Sequence, residues 1–397
     1  MKLTQKGLNT FILFGTGILY LVFTYFLMIF AASDIYAGQE GAESNIYVHL
    51  TRIGIIALSV FALILNKSVV SKTKLYLLVT LWCVWMFLSG LVQPDRYLIN
   101  LSFTLLWPSV FFLFVLFRKS QIKEIYVSGL FVIIFLLACF LYMTVMQARN
   151  VQLLDTLASV NHIYYVILFL PWLLSLKNSL LRNILLAAVI LMVVFSAKRG
   201  AMLAVLISTA IYLYYTYIKG SGKGMSVSGI MLAIVLAIGA AYGFIIINES
   251  SDGYLIGRFE SIEDDQGSGR LEIYEEVLSM FSKSSIEYKL MGHGHNMVKP
   301  LNKLDLSSHN DYLEALFNYG VIGLILLLMI LREMFIRARR LYKLKSSSFT
   351  HYVSAIVIFV FMTMVSHIIL YPTYIIFLMS YFGYMEPVIG NEINKKR

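Results

Sequence analysis

The sequence predicts an all-α, polytopic membrane protein: apolar runs of spanning length recur along it, charges are scarce within them, and the cations fall on alternate loops. Of its 397 residues 59% are hydrophobic and only 14% charged, with a mean hydropathy of +0.77. A soluble domain carries roughly 45–50% and about 25% respectively, so lipid is the expected solvent. A spanning helix takes roughly 20 mostly apolar residues. About twelve runs meet that length, near 8–32, 47–65, 75–92, 98–117, 125–145, 162–176, 183–196, 201–218, 225–247, 312–331, 352–370 and 373–388.

The first run follows Lys2 and Lys6, as a signal peptide would. Its apolar stretch is too long and no small-residue cleavage site follows, so it reads as a retained anchor helix. Cys83 and Cys139 both fall inside expected spans, where a thiol behaves as a small apolar side chain and implies no disulfide framework.

Orientation follows the cations. With a cytoplasmic N-terminus, the alternate loops carry Lys67, Lys72 and Lys74, then Arg118, Lys119 and Lys123, then Lys177 and Arg182, then Lys219 and Lys223, then the run from Arg332 to Lys345, and last Lys395 to Arg397. Both termini are thereby expected in the cytoplasm. The net charge of +10 is mostly this orientation signal, which removes the reason to expect a nucleic-acid partner. The chain reads as a single domain over 1–397. One opposite loop, 248–311, is long enough to fold on its own account, and the chemically suggestive residues gather in it or beside it.

Outward cations run against the rule and need another reason. For Lys283, Lys289, Lys299 and Lys303 a solvated or snorkelling side chain suffices. Arg199 differs, because Ser196-Ala197-Lys198-Arg199-Gly200 is a tight turn between two apolar runs. A cation costs about 2.5–3.5 kcal/mol at mid-membrane and less near the interface. Either it anchors two short helices at the interface, or its planar guanidinium binds an anion bidentately. Arg270 follows Gly267-Ser268-Gly269 and opens a stretch in which Leu271, Tyr274, Val277, Leu278 and Phe281 recur at helical spacing. The helix dipole opposes a cation in a first turn, unless an anion sits between it and the free backbone N–H groups. Arg258 is a weaker candidate for the same anion, and an exposed interfacial arginine remains the plain alternative for Arg270.

The strongest local signal is Ser308-His309-Asn310-Asp311-Tyr312-Leu313-Glu314, leading into Asn318-Tyr319-Gly320-Val321-Ile322-Gly323. Ser308 is expected to cap the helix, with Asp311 answering in a capping box. His309 then takes the first helical position, where the dipole keeps imidazole neutral and able to accept a proton. Glu314, close to lipid, is expected to be paired. Two histidines in Gly292-His293-Gly294-His295, with no nearby carboxylate or thiolate, make a weak metal site, and Asp264-Asp265 lacks the alternating oxygen ligands of a calcium loop. No metal or cofactor is expected.

Together the turn at 196–200, Gly269-Arg270-Leu271 and the His309 segment with its Asn-Tyr-Gly sequel resemble the O-antigen ligase and polymerase family of the WaaL and Wzy type. Their order, side and spacing match, and the approximately twelve-helix layout extends the likeness over the chain. The resemblance implies a GT-C-like, metal-independent, inverting glycan transfer from undecaprenyl diphosphate to a sugar hydroxyl, on the outer face of a bacterial inner membrane. Carried onto this sequence, Arg199 and Arg270 hold the diphosphate and His309 assists deprotonation of the acceptor. His162, with Asn161, also matches a recurrent family position; Lys198 departs from the small or hydroxyl residue common there. Asn310 and Glu314 join Lys198, Arg258 and His162 as secondary candidates. The implied partners are the lipid-linked oligosaccharide donor, a glycan or lipid A-core acceptor, membrane lipid and a chain-length regulator of the assembly pathway. The segment reads more like O-antigen and capsule polymerases than ligases. Protein O-oligosaccharyltransferases, which carry longer chains, come next, and a flippase is the rival from another class. Transporters usually carry mid-membrane carboxylates, whereas the acids inside the expected spans, Glu314 and Glu386, lie near helix ends.

Overall fold

A computed structural model of the chain describes residues 5–33, 45–66, 73–91, 97–120, 122–152, 163–196, 198–219, 270–366, 368–369 and 372–395, with scattered residues between 238 and 256. Every regular element among them is helical. In chain order they are α1 (Gln5–Ser33), α2 (Ile46–Leu65), α3 (Lys74–Gly90), α4 (Tyr97–Lys119), α5 (Glu124–Gln152), α6 (Ile163–Ile167), α7 (Leu170–Leu174), α8 (Ser179–Phe195), α9 (Arg199–Leu213) with a π-helical end at Tyr214–Lys219, α10 (Arg270–Lys283), α11 (Ile286–Met291), α12 (Val298–Leu301), α13 (Asp311–Lys343), α14 (Phe349–Val365) and α15 (Pro372–Lys395).

Among the described residues five helices are long and apolar enough to cross a membrane: Gly7–Leu27, Ile46–Leu65, Glu124–Thr144, Arg199–Tyr217 and Asp311–Lys343. The run expected at 225–247 lies almost wholly outside the described residues. Polar side chains in these helices are met locally, as a medium without water requires: the Thr16 hydroxyl donates to the Ile12 carbonyl at 2.8 Å, and Thr51 donates to Tyr47 and Val48 carbonyls at 3.0 Å. The outward residues are apolar too. Phe11 is 74% exposed in α1, on a surface that suits lipid and not water.

The chain forms two compact units. The first comprises Met1–Leu58, Ser120–Phe259 and Ser347–Ile358. In it α1 packs along α5, with Tyr20 edge-on to Phe131 and Phe131 stacked on Trp172 at 4.1 Å. The run expected as one span at 162–176 is two five-residue pieces, α6 and α7, buried on all sides. Pro171 explains the interruption, since it has no N–H to continue the helix.

The second unit comprises Ser59–Lys119, Glu260–Ser346 and Phe359–Arg397. Here α4 and α15 form the most extensive pair, α3 lies against α13, and α10, α11 and α12 gather on the N-terminal part of α13. The apolar face of α10 that packs is Ile273 and Val277, which join Val298 and Phe317 in a core with Met280, Phe281, Met297, Leu304 and Leu313 around it. Leu271 and Leu278, expected on that face, point away and are exposed. Each buried side chain of this kind contributes about 1.5–3 kcal/mol, enough to seat α10 on α13.

α13 runs on to Lys343, well past the expected end near Leu331. Its continuation is stabilised by an ion pair: Arg337, expected in the cytoplasmic loop run from Arg332 to Lys345, is buried and meets Glu386 at 2.6 Å and Glu333 at 3.6 Å.

Candidate active site

α13 is broken at Gly320, whose φ of 69° and ψ of −175° are non-helical. A break deprives the preceding carbonyls of their i+4 donors, and inside a membrane each must find another. The substitutes are all present. The Phe317 carbonyl takes the His293 N–H at 3.0 Å and the Asn318 carbonyl takes the Gly294 N–H at 2.9 Å. The Ser89 hydroxyl donates to the Asn318 carbonyl at 3.1 Å, and the Trp85 indole to the Tyr319 carbonyl at 2.8 Å.

The Gly292-His293-Gly294-His295 stretch is thus a strap laid across the break. His293 stacks between Tyr288 and Phe317, with ring centroids 4.4 Å from each, and its Nε2 lies 2.8 Å from the Ser284 hydroxyl. That hydroxyl already donates to the Met280 carbonyl at 2.8 Å, so Nε2 is the donor toward it. Burial holds the His293 imidazole below its ordinary value. His295 Nδ1 sits 2.6 Å from the Tyr319 hydroxyl. The two rings face different partners. Among the described residues no group of three or more His, Cys, Asp or Glu is placed to hold a metal ion; Asp264 and Asp265 fall outside those residues.

At the start of α13 the cap is Asn310, not Ser308. Its Oδ1 accepts the N–H of Tyr312 at 3.0 Å and of Leu313 at 3.3 Å, as a cap does. Asn and Ser cap about equally well, so the choice was open to neighbouring contacts. They decide it. Ser308 is turned inward, its N–H donating to Glu314 Oε1 at 2.8 Å, with its hydroxyl 3.0 Å from the same oxygen. Asp311 answers no capping box; its Oδ2 accepts the Ile369 N–H at 3.0 Å. His309 therefore precedes the cap and is not the first helical residue, which removes the premise that it sits in the first turn. It adopts φ 51°, in the left-handed region that few residues other than Gly enter and that Asn, Asp and His enter more readily than most. Such strain persists only where the surroundings over-determine it, and it concentrates at functional sites.

Glu314 is buried and paired: Ser308 fills Oε1 and the Asn318 amide donates to Oε2 at 2.8 Å. Asn318 Oδ1 in turn accepts the Met297 N–H at 2.9 Å. Tyr312 completes the surroundings, its hydroxyl 3.1 Å from that of Thr363. Ser308 and Asp311 thus support this turn in other roles than the cap and capping box expected of them, and Asn318 joins them; the i, i+4 spacing of Glu314 and Asn318 is the sequence signal for that last pair.

Arg270 is half-buried and opens α10. Arg199 is half-buried and opens α9, with Lys198 in the cap position and making no side-chain capping bond. Each guanidinium therefore stands at a helix start, where free amide N–H groups carry partial charge of the same sign. Arg199 and Lys198 belong to the first unit, and Arg270, His309, Asn310 and Glu314 to the second. His162 and Arg258 lie outside the described residues.

Residues 184–328 match the family model for O-antigen ligase. The matched segment begins in α8, takes in Arg199, Arg270 and the His309 turn, and ends a little beyond the Gly320 break. No curated protein matches the chain.

Proposed function

We propose that the protein is a glycosyltransferase of polysaccharide assembly, joining a glycan carried on undecaprenyl diphosphate to a sugar hydroxyl of an acceptor. The observation that carries this reading is the His309 turn: an imidazole in strained backbone, flanked by anchored residues, within the segment similar to O-antigen ligases. In the proposed reaction the imidazole accepts the acceptor hydroxyl proton as the oxygen attacks the anomeric carbon. The bond from that carbon to the diphosphate oxygen breaks with its electron pair leaving on undecaprenyl diphosphate, and configuration inverts. Arg199 and Arg270 each engage diphosphate oxygens and offset the charge that grows there. Neither step needs a metal. The distribution of cations supports a multi-pass bacterial inner-membrane protein with cytoplasmic termini and this chemistry on the outer face.

Repeat-unit polymerisation is our first reading, from the His-Asn-Asp-Tyr-Leu-Glu segment. Transfer of finished polymer to lipid A-core is the second, and the matching family is compatible with either. The test is purified protein incubated with lipid-linked oligosaccharide. An enzyme of either kind releases undecaprenyl diphosphate without a membrane potential; a carrier releases none, and that result would overturn the reading. Deletion of the gene then separates the two enzymes. A polymerase mutant leaves a single repeat on the core, and a ligase mutant strands finished polymer on the carrier.

A further inference from the structure

The mechanism leaves unused a buried carboxyl group beside its base. Glu314 is only 2% exposed and Ser308 fully buried, so this carboxyl is shielded from solvent. Both of its oxygens are occupied by internal donors, the Ser308 N–H on Oε1 and the Asn318 amide on Oε2. A carboxylate accepts at both oxygens without needing a proton of its own, which matches a donor on each of them. Ser308 is the residue immediately before His309. On the other side of His309, Asn310 is fixed by capping α13 and Asp311 by the Ile369 N–H. The left-handed backbone of His309 is therefore clamped between two anchored neighbours, and one of the anchors is Glu314.

We infer that Glu314, with Asn318, is a positioning residue that presents the His309 imidazole, and that it exchanges no proton with substrate. The inference rests on the transferase reading above. Its chemistry makes a specific demand, namely one acceptor toward Ser308 and a donor–acceptor match between positions 314 and 318. The reciprocal pair Glu314→Gln with Asn318→Asp meets that demand. The side-chain amide introduced at position 314 keeps its oxygen for Ser308 and donates its N–H to the carboxylate introduced at position 318. The second oxygen of that carboxylate accepts the Met297 N–H, which the native Asn318 accepts at 2.9 Å. The carboxylate has simply moved one helical turn.

The experiment compares wild type, E314Q, N318D and E314Q/N318D in detergent. Undecaprenyl diphosphate release is followed against donor concentration and pH, and amide exchange of 308–313 is read by mass spectrometry on the same preparations. Glu314→Gln alone forces two amides together, and we expect kcat to fall about 100-fold, the scale of a misplacement near 1 Å, with donor KM little changed and faster exchange at 308–313. The double variant should recover kcat to within about tenfold, restore slow exchange and keep the wild-type pH limb. A double variant that exchanges slowly yet stays inactive would make the carboxylate at 314 a reacting group, and one that exchanges as fast as E314Q would remove the clamp; either overturns the proposal. A wild type that releases no undecaprenyl diphosphate sinks the transferase reading instead, and the clamp is then judged on exchange alone.

Discussion

Gly292 lies so close to the Asn318 carbonyl that a Cβ on it would overlap that oxygen, and a Cβ on Gly320 would overlap the Leu290 carbonyl in the same way. Both glycines also have dihedrals that only glycine adopts readily, φ 85° with ψ 172° and φ 69° with ψ −175°. The strap and the helix break hold each other through these two positions. We expect Gly292→Ala and Gly320→Ala each to destabilise by about 1–3 kcal/mol from backbone strain, before any overlap is counted. Gly129→Ala, mid-helix in α5 where a Cβ meets nothing within 4 Å, should leave thermal unfolding in detergent unlowered and raise it slightly through helix propensity. Equal melting of all three variants would show that the close approach carries no load.

His309 combines a side chain proposed to act as base with a backbone that favours Gly or Asn. Two substitutions separate these roles. His309→Ala and His309→Asn should both lose about 10²–10⁴-fold in kcat, the usual share of a general base, while Asn keeps the turn as ordered as in wild type. Activity returning in His309→Asn, measured as undecaprenyl diphosphate release, would mean that conformation mattered and proton transfer did not.

The helical class was legible because burial in lipid leaves long apolar runs, and α1, α2 and α5 follow those runs closely. Element ends were less so. α13 outlasts its apolar run because a buried Arg337–Glu386 pair lets charged residues stay helical, and a partner 49 residues away leaves no local mark. Sequence does not separate Ser308 from Asn310 as the cap, since the two residue types cap about equally well and the deciding contact is Glu314 taking Ser308 for itself. The strap over Gly320 went unseen for the same reason: Gly-X-Gly signals unusual backbone, but only the fold says which carbonyls it must serve.

Arg270 and Arg199 each stand at a helix start, and the proposed role uses the planar fork of guanidinium. Lysine retains the charge and loses the bidentate geometry. Arg270→Lys and Arg199→Lys should therefore fall about tenfold or more in kcat/KM for the lipid-linked donor, and alanine further still. Transfer kinetics in proteoliposomes check this; full activity in either lysine variant would reduce that arginine to an interface anchor.

The His293 ring, stacked between Tyr288 and Phe317, is held by burial below its ordinary value. In the unfolded chain a histidine takes its proton as pH falls through about 6.5, while the folded ring resists. Between those two values the unfolded state binds more protons, so stability drops as pH falls and levels off below the folded value. Melting at about pH 7.5 and about pH 5.5 should show a larger acid loss in wild type than in His293→Phe, which keeps the stack and has nothing to titrate. Identical acid losses would remove His293 from the stability of the strap.

Arg337 lies within salt-bridge distance of both Glu333 and Glu386, at 3.6 and 2.6 Å, and all three are buried. Removing one member of a buried pair strands the opposite charge and costs about 3–5 kcal/mol, whereas replacing the whole group by apolar or neutral side chains of similar size is often neutral. Arg337→Met should thus sharply lower the unfolding temperature and yield in detergent. Adding Glu333→Gln and Glu386→Leu to it should restore most of the loss, because the desolvation penalty disappears along with the attraction. If the triple variant remains as unstable as Arg337→Met, the cluster does more than neutralise itself, and its contacts to α15 must be specific in a way that charge balance does not capture.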